Sequence, residues 1–393
     1  LAQKQVSEFE TAHKKRRRKY AAQRFFRLIV AAVITVVIVV GVYFAAENDL
    51  FGMAGDLIAS SASNGGSLPM EFSGDATLSM FDWGGSVGIL TDTAVYLYST
   101  GGRELLYEQH GMTAPCAEAS GRRMLIYDRG GTMLQVRTRT SVLFEQTYDY
   151  EIITASLSED GYLTVVTGAQ RYASQVMVYS PDFDMIFSWS PAEEYVVAAA
   201  VGPDEKTIAA ASVYASGGQI YSTVHIFAVD SSEEQAQHRF EGSAVVGIAF
   251  TNKGDIRVIC DDQAAEMDTD GKLLGYYGYG GELTAYLCPP GSGETVLIFD
   301  QYTESRSCRL VFLGDEMEEK ASASATGKLV ACCCDAKRAA VYCSGNLTVF
   351  GTDGSMLAYS SEEQDALKVA LVNGGFYAVT RNTLCAVKTD TPA

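Results

Sequence analysis

Short runs of apolar, β-branched and aromatic residues, separated by Gly, Asp and Asn turns, recur along this chain at a period of about 41 residues. The period limits the fold more than any other feature. Each unit of that length holds about four short strands, and such a sheet has two apolar faces that it cannot bury alone. Stacking the units in a ring buries every face and leaves only short edges. First strands are expected near Thr77, Ala114, Ile152, Val196, Ala244, Leu283, Lys328 and Ala366. The third unit shows the pattern in full: Ile152–Ser158, the turn Glu159-Asp160-Gly161, then Tyr162–Thr167, Gln175–Tyr179 and Met185–Trp189. The last unit has three strands, ending with Leu384–Val387, before the chain stops. One strand, Leu68–Phe72, precedes the first unit and would fill the vacant place in the last. The pattern predicts an all-β, eight-bladed β-propeller over residues 67–393. Seven blades is the rival count, because the units at 196–243 and 283–327 have loose boundaries.

The first 66 residues differ in kind. Residues 28–46, LIVAAVITVVIVVGVYFAA, carry no charge, and as a helix they span about 28 Å, close to the ~30 Å hydrocarbon core of a bilayer. Residues 1–46 hold nine Lys/Arg and two acids, whereas the rest of the chain holds 21 and 46, so a net +7 gives way to −25. The basic run Lys14, Lys15, Arg16, Arg17, Arg18 and Lys19 predicts a cytoplasmic tail over 1–27 that rests on anionic lipid. The expected order is tail, transmembrane helix over 28–46, flexible linker over 47–66, and a propeller outside a plasma membrane. The basic run has no base-reading element around it, and the acidic outer part repels nucleic acid.

Catalytic signatures do not hold together. Gly84-Gly85-Ser86-Val87-Gly88 fits GxSxG, but it leads into a strand where a nucleophile elbow needs a helix. Asp268-Thr269-Asp270-Gly271 begins like a calcium loop and lacks the later carboxylate. The nine cysteines read as small core residues. Cys332-Cys333-Cys334 alternate between two faces of a strand, with no histidine near enough in sequence to complete a zinc tetrahedron. No cofactor and no metal are expected. Among binding residues, Gly275-Tyr276-Tyr277-Gly278-Tyr279-Gly280-Gly281 stands out: Tyr276, Tyr277 and Tyr279 between glycines offer flat faces for a glycan or peptide, or else form a blade-to-blade turn.

The stretch Gly88–Gly131 carries Leu90-Thr91-Asp92, Tyr96-Leu97-Tyr98, Gln109-His110-Gly111, Pro115 and Tyr127-Asp128-Arg129-Gly130-Gly131. With the anchor and the Leu68-Pro69 opening strand, it resembles an uncharacterised family of Gram-positive, membrane-anchored domains of unknown function with a propeller-like outer domain. More distantly the units are similar to quinoprotein-like and YVTN-type propellers, without the tryptophan docking motif of the former or the GH…WD signature of WD repeats. The resemblance implies a propeller and an anchor, and supplies no site residues. The function expected is a non-catalytic binding or scaffold module for an envelope protein or wall polymer. The alternative is an extracellular propeller enzyme, a lyase, glycosidase or quinone-dependent dehydrogenase, with its site in the central channel.

Overall fold

The structure is a computed structural model that describes Thr35 and, between residues 66 and 392, all residues except 74–75, 289–292, 303–305 and 361–364. The expected transmembrane helix (apart from Thr35), basic tail and linker therefore lie outside the described residues. Among those described, no helix is long and apolar enough to cross a membrane.

From Ser61 onward the chain forms one compact unit. Its described residues build eight four-stranded antiparallel sheets. Their first strands are Thr77–Asp82, Pro115–Ser120, Ile152–Leu157, Tyr195–Val201, Val245–Phe250, Leu283–Leu287, Leu329–Cys334 and Lys368–Val372, and the sheets are numbered here as blades 1 to 8 in that order. Seven blades are simple meanders. In blade 8 the order is Lys368–Val372, Gly375–Thr380, Thr383–Val387 and then Met70–Glu71, so the start of the domain supplies the outermost strand of the last blade. Met70 pairs with Leu384 and Glu71 with Thr383, and the Phe72 amide donates to the Asn382 carbonyl at 2.9 Å. This is the closure expected from the unassigned opening strand.

Eight hydrophobic clusters seal the blades, each formed by two neighbours. Leu125 and Tyr127 of blade 2 meet Val165 and Met177 of blade 3. Ile298, Cys308 and Leu310 of blade 6 meet Val341 and Cys343 of blade 7. At the closing seam Val87, Ile89 and Tyr96 of blade 1 meet Ala370, Val379 and Leu384 of blade 8, with the Phe72 ring tilted against Tyr96 at 5.4 Å. Burying both faces of a sheet explains why second and third strands read as continuous apolar runs. Val87–Thr91, Leu163–Thr167 and Ile256–Cys260 are buried at every position.

The count of eight is resolved at the two units with loose boundaries. Their fourth strands are Glu234–Glu241 (EQAQHRFE) and Glu319–Thr326 (EKASASAT), polar because one face of an outermost strand meets solvent. Blade 4 also departs from expectation in length. The sequence suggested Thr207–Ala211 and Val224–Ala228, whereas the paired strands run Thr207–Ser216 and Gln219–Ala228 around Gly217-Gly218. The extra turns of ladder project beyond the core and so lack an apolar signal. They are stiffened by Tyr214 stacked on Tyr221 at 5.2 Å and by the Arg239 guanidinium 4.0 Å from the Tyr221 ring centre.

Candidate functional site

At most blade junctions the first strands of neighbouring blades pack against one another, which makes them the innermost strands around a central channel. In six of them the register slips by one residue directly after the first pair: at Thr77/Ser79, Ile152/Thr154, Val196/Ala198, Val245/Gly247, Leu283/Ala285 and Leu329/Ala331. A bulge of this kind leaves one residue without a cross-strand partner and turns it away from the ladder. Those residues are Leu78, Ile153, Val197, Val246, Thr284 and Val330. Blade 8 repeats the device: the Leu367 amide donates to the carbonyl of Val379, whose register partner is Lys368.

Six of these seven side chains are aliphatic. Leu78 is 37% exposed, Val246 49%, Val330 45% and Leu367 46%. In an antiparallel meander the first strand begins at the end that also carries the second-to-third-strand turn and the connection to the next blade. The bulge residues therefore ring one mouth of the channel, at the end where the long blade 4 hairpin projects. The lumen itself holds Glu118, on the first strand of blade 2. Solvent reaches this carboxyl, yet surrounding protein pushes its pKa up to about 7 against a hydrogen bond from the Leu157 amide of blade 3.

A second concavity lies between blades 1 and 2. It has a volume of about 260 Å³, with Met112 and Met124 buried beneath it and Met133 exposed at its edge. Its rim carries Glu108, Arg137 and Glu145. The Arg137 side chain is 7% exposed, pairs with Glu108, and donates from Nε to the Thr138 carbonyl at 3.2 Å. His110 and Asp128 support the connection beneath. His110 Nδ1 accepts from the Met112 amide at 3.0 Å, and Asp128 accepts from the amides of Thr113 and Ala114 at 3.0 and 2.7 Å. These two belong to the Gln109-His110-Gly111 and Tyr127–Gly131 motifs, which the structure thus shows holding one blade to the next.

A third cluster lies in blade 4. His225 places Nε2 2.9 Å from Ser212 Oγ and 2.8 Å from Glu194, and Nδ1 2.8 Å from Glu234. The hydroxyl–imidazole–carboxylate order matches that of an activated nucleophile. Ser212 is fully buried, however, and also donates to Glu194 at 2.5 Å. With the Trp189 ring 4.8 Å from the imidazole, the cluster joins blade 3 to the base of the hairpin. Nothing in the spacing of Glu194, Ser212, His225 and Glu234 announces it, since four separate segments supply the groups.

The three tyrosines are not brought together. Tyr276 is 65% exposed on the outer strand of blade 5. Tyr277 donates to Glu319 of blade 6 at 3.0 Å, and Tyr279 packs edge-on against Phe299 at 5.4 Å. A side chain at Gly275 would run into the Glu316 carbonyl of blade 6, so that glycine serves the blade junction. Tyr276 and Tyr277 thus lie in a strand rather than a turn, and contacts to blade 6 occupy Tyr277 and Tyr279. Gly84–Gly88 forms the first hairpin of blade 1 and its start, with Arg139 donating to the Trp83 carbonyl at 2.7 Å, and Asp268 caps a hairpin turn by accepting from the Asp270 and Lys272 amides. All nine cysteines are free thiols, and among the described residues no group of three or more His, Cys, Asp or Glu is arranged to hold a metal.

No curated protein sequence matches the chain. Solved structures share its fold. The C-terminal WD40 domain of Sif2 superposes with a TM-score of 0.57 at 10% identity, covering 84% of this chain and all of that one. BamB from Moraxella catarrhalis gives 0.51 at 10% identity, covering 82% of this chain and all of that one. Residues 67–388, the span that closes into the ring of blades, match a described family, and the chain belongs to it: the family of unknown function DUF5711.

Proposed function

We propose that this protein is a non-catalytic docking module, held on the outer side of a plasma membrane by a single helix over residues 28–46 and engaging an envelope protein at the mouth of its channel. The observation that carries the reading is the ring of bulged aliphatic residues. Four of them, Leu78, Val246, Val330 and Leu367, expose more than a third of their surface on innermost strands, where packing would otherwise bury them. Repeated apolar exposure around one opening marks a contact surface. A protein partner suits it better than a wall polymer, because aliphatic side chains offer no flat face for sugar rings and only Tyr276 of the three tyrosines is free of the blade 6 contacts. The basic run Lys14–Lys19 and the apolar segment supply the orientation.

The test is a photo-crosslinking residue placed at Val246 or Val330 of the full chain in cells, with Val142, 45% exposed on the outer strand of blade 2, as the control position. A discrete protein adduct from the first two positions, absent at Val142 and lost when Leu78 and Leu367 are changed to Asp, is the expected result. Equal or absent adducts at all three positions reject it. A tag after residue 393 should be accessible on intact cells; access only after lysis rejects the placement.

A further inference from the structure

The cleft between blades 1 and 2 has a chemistry of its own. Three unbranched thioether side chains line it, Met112 and Met124 from below and Met133 from its exposed edge. Such side chains adapt to a linear aliphatic stem. The rim holds two carboxylates and one guanidinium. Arg137 is committed to Glu108, whereas Glu145 is exposed and has no ion-pair partner among the described residues. One negative charge is left over at the open side of an apolar slot of about 260 Å³, the scale of a single side chain.

A linear aliphatic stem ending in a cation is a lysine or arginine side chain, which lays its methylenes on apolar surface and keeps its head at the polar rim. The strongly acidic character of residues 47–393 adds a long-range attraction for basic partners. The cleft runs along the third strand of blade 2, from Met133 and Thr147 near the end of the aliphatic ring to Met124 and Arg137 near the other end. We propose that this cleft is an anchor site for one lysine or arginine side chain of the docked partner, with Glu145 as the carboxylate that receives its charge. The identity of the partner rests on the docking reading above; the capture of a cationic side chain does not.

The experiment uses the full chain in non-ionic detergent, labelled with 13C at its methionine methyls, titrated with Nα-acetyl-arginine methylamide. Saturable shifts of the Met112, Met124 and Met133 methyls are expected, with the buried Met177 and Met267 unmoved. Glu145→Gln, at an exposed site, should weaken the apparent Kd at least fivefold, while Glu159→Gln in a distant turn leaves it unchanged. Absence of saturable shifts, equal affinity in Glu145→Gln, or an equal response to Nα-acetyl-glutamate methylamide overturns the proposal. Shifts as expected alongside failed crosslinking at Val246 and Val330 would remove the docking reading and leave the cation site standing.

Discussion

Replacing Phe72 by Ala probes the seam where the ring closes. Phe72 is 5% exposed, and its ring lies 5.4 Å from Tyr96 and 6.5 Å from Tyr98. Truncating a buried Phe costs about 3–5 kcal/mol, to which lost aromatic pairing contributes about 0.5–1.5 kcal/mol. What then holds the segment is the two-residue ladder Met70–Glu71 and the Phe72 amide bond, worth about 1 kcal/mol per hydrogen bond. The variant should lose about 4 kcal/mol of stability in urea titration, and Glu-specific protease should cut at Glu71 well before the rest of the domain. Phe240→Ala is the matched control: it is also 5% exposed on an outermost strand, but in blade 4, whose strands are continuous in the chain. It should cost a similar amount without hastening cleavage at Glu71. A loss below about 1 kcal/mol for Phe72→Ala, or cleavage no faster than in Phe240→Ala, would refute the closure.

Glu118→Gln should stabilise the protein at pH 8 by about 1 kcal/mol, allowing for water in the channel, and should have no effect near pH 4. The folded protein raises the Glu118 pKa from 4.5 to about 7, so stability falls as pH rises through that window, and glutamine removes the fall. At the blade 5–6 seam Arg257 donates to Glu266 at 2.9 Å, to Thr295 at 3.1 Å and to the Gly314 carbonyl at 3.2 Å, with both charged side chains almost fully buried. Glu266→Ala should cost about 3–5 kcal/mol by stranding the guanidinium, and Arg257→Met with Glu266→Met should recover most of it; thermal unfolding reads both. Iodoacetamide applied to the native chain should spare Cys260, Cys308 and Cys343, which are buried, with the Cys260 thiol pushed up to about 12 by burial; peptide mass spectrometry reading rapid labelling there would reject the packing.

Blade number and closure were legible because burial on two faces writes itself as apolar runs, and because Leu68–Phe72 had no other partner. The long hairpin of blade 4 was not legible, since Ala215 and Ser216 pair with Ile220 and Gln219 beyond any core, around a Gly217-Gly218 turn. The aliphatic ring escaped notice for a different reason. Leu78, Val246 and Val330 look like ordinary strand residues, and only a one-residue slip in register turns them outward. The Met-floored cleft and the His225 cluster are products of assembly, each drawing residues from segments that share no spacing. The Tyr276–Tyr279 motif shows the converse: a conspicuous pattern whose middle and last rings are occupied in joining two blades.

The joint between the two ends of the domain also sets how the protein bears force. Tension arriving along the chain from its first sixty residues enters the folded part at Ser67–Phe72, so the two-residue ladder there carries the load ahead of every other seam. Blade 8 keeps three strands linked through the chain to blade 7 when that ladder yields. A pull from that side would therefore free a single strand first and leave the chain-continuous blades sealed.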